Sequence, residues 1–182
     1  TCWEGAPPAG QEPEIIEIGV CLLDARCGER LSRESILVRP ERSTISTFCA
    51  QLTSLTPAKL EHGVSFARAC TILRRKYGAP HRVWASYGGD DRRKFERQCA
   101  ARGVAYPFGA SHIDIKSLFA LLYGLPHEVG LLSALDMVGV PVEGTHHRGA
   151  DDAWNAAGLL AALLARWRQA VGDEAVSQKE EL

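Results

Sequence analysis

The strongest constraint in this sequence is the alternation, from residue 83 onward, of strand-length apolar runs with helix-length amphipathic segments. Residues 83–87 predict a short buried strand, and Gly88-Gly89 a turn. Residues 91–102 predict a helix with Phe95, Cys99 and Ala100 inward. A second strand is expected at 112–115, then helices over 116–123, 130–138 and 151–170. Strands connected through helices pair parallel, because the crossover returns the chain to the same end of the sheet. Upstream the pattern differs. Residues 15–23 are an apolar run interrupted by Glu17, which reads as a strand covered on both faces; 24–30 read as a polar turn, and 35–38 as a strand returning antiparallel. The expected architecture is α/β, with a mixed central sheet and flanking helices.

Between these halves, Thr56-Pro57 marks a helix start, with Thr56 as cap and Pro57 in the first turn. Residues 65–77 place Phe66, Ala69, Cys70 and Leu73 on one helical face. A chain of 182 residues buries roughly 70% of its unfolded surface, enough for one core. One domain is expected over 1–170, followed by a polar tail over 171–182. No apolar run approaches the ~18 residues of a membrane-spanning helix. The net charge of -1 argues against a broad phosphate-binding surface, but not against a site that grips a few terminal nucleotides. The basic runs Arg74-Arg75-Lys76 and Arg92-Arg93-Lys94 read as solvated helix faces or as phosphate tracks. The cysteines lack C-x-x-C spacing and read as reduced thiols of a cytoplasmic protein.

Three segments carry chemistry. In 144–155, a Gly-rich loop presents His147, and Asp152 follows five residues later at a helix start. His147 reads as a surface-loop histidine or as a general base, since its unperturbed pKa lies near working pH; one of Asp151 and Asp152 reads as the helix cap. In 86–95, Asp91 follows a strand and a Gly-Gly turn. It reads as an N-cap or as a site residue, because α/β sites form at the carboxyl ends of strands. The third segment is Thr1-Cys2-Trp3, followed by the strand Glu14 to Gly19. Glu4, Glu12 and Glu14 read as solvated loop residues.

Taken in order, these segments resemble the DEDDh exonucleases, RNase H-like 3′→5′ nucleases, in the branch that trims RNA 3′ ends. That branch's first motif is Asp-x-Glu-Ala-Thr-Cys-Trp, and Thr1-Cys2-Trp3 matches its end. Phe48-Cys49 and Leu52-Thr53 resemble the family's segment near the terminal nucleotide. Tyr87-Gly88-Gly89-Asp90-Asp91 resembles Trp-Gly-x-x-Asp, with Tyr87 for the commoner Trp, and implies a metal-binding role for Asp91 rather than Asp90. His147 to Asp152 resembles His-x-x-x-x-Asp, and implies a general base at His147 and a metal ligand at Asp152. The resemblance runs to about residue 164.

The resemblance implies an RNase H-like exonuclease fold and two Mg²⁺ or Mn²⁺ ions held by four carboxylates. It implies hydrolysis at single-stranded nucleic-acid 3′ ends, RNA favoured over DNA, with release of nucleoside monophosphates. Thr1, Trp3, Phe48 and Leu52 are the implied substrate contacts, although Phe48 reads equally as core. The Asp and Glu of the first motif would precede Thr1. The family's first strand is therefore expected to be missing from this chain, and the chain by itself to be inactive or nearly so. Glu17 is expected to support the site rather than bind metal. Two other readings are a catalytically dead nuclease fold used as a binding module and a polymerase-associated proofreading subunit.

Overall fold

The structure is a computed structural model that describes the backbone of residues 1–180 and the side chains of residues 1–172. Strand β1 (Glu17–Val20) pairs antiparallel with β4 (Glu34–Leu37), Ile18 opposite Ile36. Between them, β2 (Leu23–Asp24) and β3 (Glu29–Arg30) close a small hairpin. The single strand expected over 15–23 is thus divided, and the expected polar turn contributes Asp24 to β2 and Glu29 and Arg30 to β3. The break falls where the Leu22 N–H bonds the Ser32 hydroxyl, 3.1 Å away. Strands β5 (Trp84–Ser86) and β6 (His112–Asp114) pair parallel, as the helical crossover requires. Among the described residues no ladder joins the antiparallel pair to the parallel pair.

The helices start where the sequence places caps. Ser46, Thr56 and Ser65 accept backbone N–H bonds at the starts of α1 (Thr47–Thr53), α2 (Pro57–Glu61) and α3 (Phe66–Lys76). Helix α4 (Asp90–Arg102) forms the β5–β6 crossover. Phe66, Ala69, Cys70 and Leu73 of α3 and Phe95 and Cys99 of α4 pack against Ile18 and Ile36 in one core cluster. A second cluster joins α5 (Ile115–Leu122), α6 (Leu131–Met137) and α7 (Gly149–Glu180) through Phe119, Leu135 and Leu159.

Several expectations need correction. Ala100 is exposed, and Gln98 takes the inward place in α4, where its Oε1 accepts the Ile15 N–H at 2.8 Å. Strand β5 is not buried on both faces: Val83 and Ala85 are exposed, while Trp84 on the opposite face stacks on Phe108 at 4.1 Å. Glu14 is not solvated. It is buried, accepts the Glu41 and Arg42 N–H groups, and pairs with Arg102, so the loop before β1 is fastened to the end of α4.

Helix α7 begins at Gly149, and neither Asp151 nor Asp152 caps it. Glu17, the first residue of β1, reaches across instead. Its carboxylate accepts the Gly149 N–H at 2.9 Å and the Ser35 hydroxyl at 2.6 Å, and pairs with Arg148 at 3.4 Å. A carboxylate against a helix N-terminus satisfies an orphan donor and opposes the positive end of the helix dipole. The approach is close: a Cβ on Gly149 would lie 2.9 Å from the Gly19 nitrogen, and one on Gly19 would strike the Gly149 carbonyl. The expected polar tail begins inside α7, while Glu181 and Leu182 lie outside the described residues.

The Glu17 side chain is 5% exposed, while its partners Ser35 and Arg148 reach solvent, so its loss bears chiefly on the Gly149 N–H at the start of α7. Glu17→Ala is expected to destabilise the protein by about 1 kcal/mol, the scale of a lost acceptor at a helix N-terminus. Glu17→Gln, which keeps an acceptor for Gly149, should cost less. Urea unfolding of the two variants measures the difference.

Candidate active site

The loop between α6 and α7 is shaped by its charged residues. Asp151 accepts the Thr145 N–H at 2.7 Å and binds Arg33 at 2.6 Å. Desolvation opposes its ionised form, but the Thr145 amide and the Arg33 guanidinium outweigh this, and the Asp151 pKa falls below the usual carboxylate range. Arg30 lies 4.0 Å over the Trp154 ring and bonds Glu143, which ties the same region to β3. With Arg148 on Glu17 and Asp151 on Arg33, the groups left facing outward are His146, His147 and Asp152.

Donor atoms of these three residues all lie within 4.8 Å of one another. His146 Nδ1 sits 3.0 Å from Asp152 Oδ1. The His147 ring is exposed and lies against the His146 ring, centroids 3.9 Å apart. His147 has φ +67°, in the left-handed region that non-glycine residues seldom occupy. The resemblance implies a general base at His147; the histidine hydrogen-bonded to Asp152 is its neighbour His146. The backbone reversal at His147 lies between them and turns the two rings onto each other. The tandem His146-His147 was the only sequence signal for this second histidine.

The second motif stands at the start of α4. Gly89 is the N-cap residue, so Asp91 lies in the first turn rather than at the cap position. Asp90 pairs with Arg93, whose hydrogen bond draws the Asp90 pKa down. Asp91 makes no hydrogen bond or ion pair among the described residues. Its surface is open, yet protein crowds the carboxyl group itself. Desolvation raises the Asp91 pKa, Lys94 opposes that shift, and the charges of Asp90 and Asp152 add to it. Asp91 therefore shares an electrostatic environment with Asp152, although it lies outside the three-residue cluster.

This chemistry fits a divalent cation. An unpartnered carboxylate whose ionisation is opposed by two other carboxylates is relieved by a hard cation, and oxygen donors suit Mg²⁺ or Mn²⁺. Asp91 and Asp152 are the residues that would hold it. The chemistry such an ion supplies is polarisation of a phosphate and activation of water.

The implied substrate contacts divide. Thr1 is buried, and its hydroxyl accepts the Glu14 N–H at 3.0 Å and donates to the Glu12 carbonyl at 3.2 Å, so it is engaged with the segment that leads into β1. Trp3 is partly buried. Phe48 and Leu52, one turn apart on α1, are both 37% exposed, while Cys49 between them is buried. Phe48 is thus not a core residue.

The raised Asp91 pKa has a consequence for stability. The native state holds this proton more tightly than the unfolded chain, so the group's contribution falls as pH rises through its native pKa. Metal-free Asp91→Asn is expected to melt above the parent protein at pH 7, with the difference vanishing below about pH 4. Added Mn²⁺ should raise the parent's melting temperature and leave the variant unmoved. Thermal melts in EDTA and in Mn²⁺, at the two pH values, measure both effects.

Comparison with known proteins agrees with this geometry. Residues 5–160 match the model of the exonuclease family, RNase_T. The chain is 29% identical over 174 residues to human 3′-5′ exoribonuclease 1, covering 90% of this chain and 50% of that protein. It therefore spans about half the length of that relative. The nuclease domain of 3′hExo, a DEDDh family member solved bound to rAMP, superposes with TM-score 0.82 at 27% identity, covering 91% of this chain and 88% of that one. A 3′-exonuclease solved in recognition of the histone mRNA stem-loop superposes with TM-score 0.78 at 27% identity, covering 90% and 60%. The chain belongs to the exonuclease family, with the RNase H-like fold of its DEDDh members.

Proposed function

We propose that this protein is a metal-dependent 3′→5′ exonuclease. It hydrolyses phosphodiester bonds at single-stranded 3′ ends, RNA in preference to DNA, and releases nucleoside monophosphates. The observation that carries the reading is the convergence of Asp152 and two histidines, with Asp91 unpartnered in the same electrostatic environment. Support for RNA comes from the relatives, named for exoribonuclease activity and solved with an adenosine monophosphate or an mRNA stem-loop. Mg²⁺ or Mn²⁺ is the cofactor the carboxylate donors suit.

In this reading Asp91 and Asp152 would hold the cation, which would stabilise the charge that builds on the reacting phosphate. His147, exposed and without a hydrogen bond among the described residues, accepts the proton of the attacking water. Phe48 offers an exposed ring to the terminal base, and Leu52 supports the same face of α1. Phosphoryl chemistry of this kind rests on positioning and charge stabilisation, which accounts for a site fastened by Glu17, Arg33 and Arg30 rather than left on a free loop.

A second reading has an observation of its own: His146, not His147, contacts Asp152, and so His146 is the rival general base. The protein at its natural length, incubated with 3′-extended single-stranded RNA and Mg²⁺, should release mononucleotides from the 3′ end. Asp91→Asn and Asp152→Asn should abolish release, and His147→Ala should slow it about 10²–10⁴-fold. His146→Ala should cost far less. The opposite order for the two histidines would transfer the role of base to His146; activity that survives Asp91→Asn and Asp152→Asn would refute the metal site.

A further inference from the structure

Among the described residues Asp91 has no side-chain partner to hold it, so its place is set by the backbone that delivers it. That backbone is the Gly88–Gly89 turn. Gly88 has φ +96°, and Gly89 caps α4 without a side-chain bond to the first turn. A Cβ on Gly88 would meet Lys116 Cδ at 3.7 Å, and one on Gly89 would crowd Arg93 Nη1 at 2.9 Å and meet Asp114 Oδ2 at 3.7 Å, so the turn lies between Arg93 of α4 and the start of α5.

The side-chain bond to this turn comes from Ser86, at the end of β5. Its hydroxyl donates to the Gly88 carbonyl at 2.7 Å. Ser86 Oγ also lies 2.8 Å from His112 Nε2 on the neighbouring strand. The hydroxyl has one proton, and that proton is on the Gly88 carbonyl, so Nε2 must be the donor in the second bond. His112 is held in turn by Trp84, centroids 4.1 Å apart, directly across the β5–β6 register. The result is a relay from His112 through Ser86 to the Gly88 carbonyl, two residues before the helix turn that carries Asp91. A serine beside a histidine suggests a nucleophile, but Ser86 is buried and its proton points at a carbonyl. The pair is built to hold, not to react.

We propose that Ser86 and His112 are positioning residues for the metal site: their relay locks the Gly88–Gly89 turn, and the turn aims Asp91. This rests on the exonuclease reading above. The test uses Ser86→Ala, Ser86→Thr and His112→Phe in the protein at its natural length. His112→Phe keeps a ring on Trp84 while removing the donor, and melting curves confirm which variants fold.

Two readouts are taken together: Mn²⁺ affinity by calorimetry, and the Mg²⁺ dependence of mononucleotide release from single-stranded RNA. Ser86→Ala and His112→Phe should weaken Mn²⁺ binding and raise half-saturating Mg²⁺ by about tenfold, the scale for groups that orient a metal ligand. KM for RNA should stay within about twofold, and saturating Mg²⁺ should recover most of kcat. Ser86→Thr, which keeps the hydroxyl, should restore the parental metal dependence. A merely structural role would lower the melting temperature and leave the metal midpoint in place, and that result overturns the proposal. If the parent protein binds Mn²⁺ in a Ser86-dependent manner yet releases no nucleotide, the relay stands and the exonuclease reading falls. If the parent is active and the folded variants keep its metal midpoint, the relay falls alone.

Discussion

The carboxylate of Glu17 is the interaction on which the site depends. It stands in an antiparallel strand, yet its partners are a helix N-terminus, an arginine of the preceding loop, and a serine of the neighbouring strand. A helix leaves its first N–H groups without intrahelical acceptors, and the Asx or Ser cap that usually answers them is absent here. Supplying the acceptor from β1 fixes where α7 starts, and therefore where Asp152 sits. The Gly19–Gly149 approach lets the backbones come near enough for this bond. Strand, helix and loop are joined at one point, and the chemistry is presented beside it.

The two aspartate doublets show a division of labour. In Asp90-Asp91 the first carboxylate is paired with Arg93 and the second is left without a partner. In Asp151-Asp152 the first is fastened to Arg33 and the Thr145 amide, and the second faces the histidines. One member of each doublet spends its charge on local structure and leaves its neighbour available. Desolvation, with the charges of Asp90 and Asp152 beside it, then makes Asp91 costly to ionise without a cation. Such opposition between stability and activity is expected where charge is collected for catalysis.

Much of this was legible in the sequence, and what was not has physical reasons. The Thr56 cap and the inward face of α3 depend on neighbours within one helical turn, so local spacing reveals them. The parallel β5–β6 pair follows from the intervening helix, and Asp91 was separated from Asp90 by motif spacing. The burial of Glu14 was hidden because its partner Arg102 lies 88 residues away, and the Glu17–Gly149 bond spans 132. No periodicity encodes such pairs. The contact of His146 with Asp152 was not legible because adjacent histidines are told apart only by the backbone between them, and the hydroxyl of Ser86 gave no sign of its bond to a strand 26 residues on.

The central claim is that Asp91 and Asp152, delivered by two separate elements, form one divalent-cation site. The most direct measurement is anomalous diffraction from crystals of the protein at its natural length grown with Mn²⁺. The account predicts an anomalous peak at coordination distance, about 2.1 Å, from carboxylate oxygens of both Asp91 and Asp152. Peaks confined to other residues, or none at saturating Mn²⁺, would contradict it.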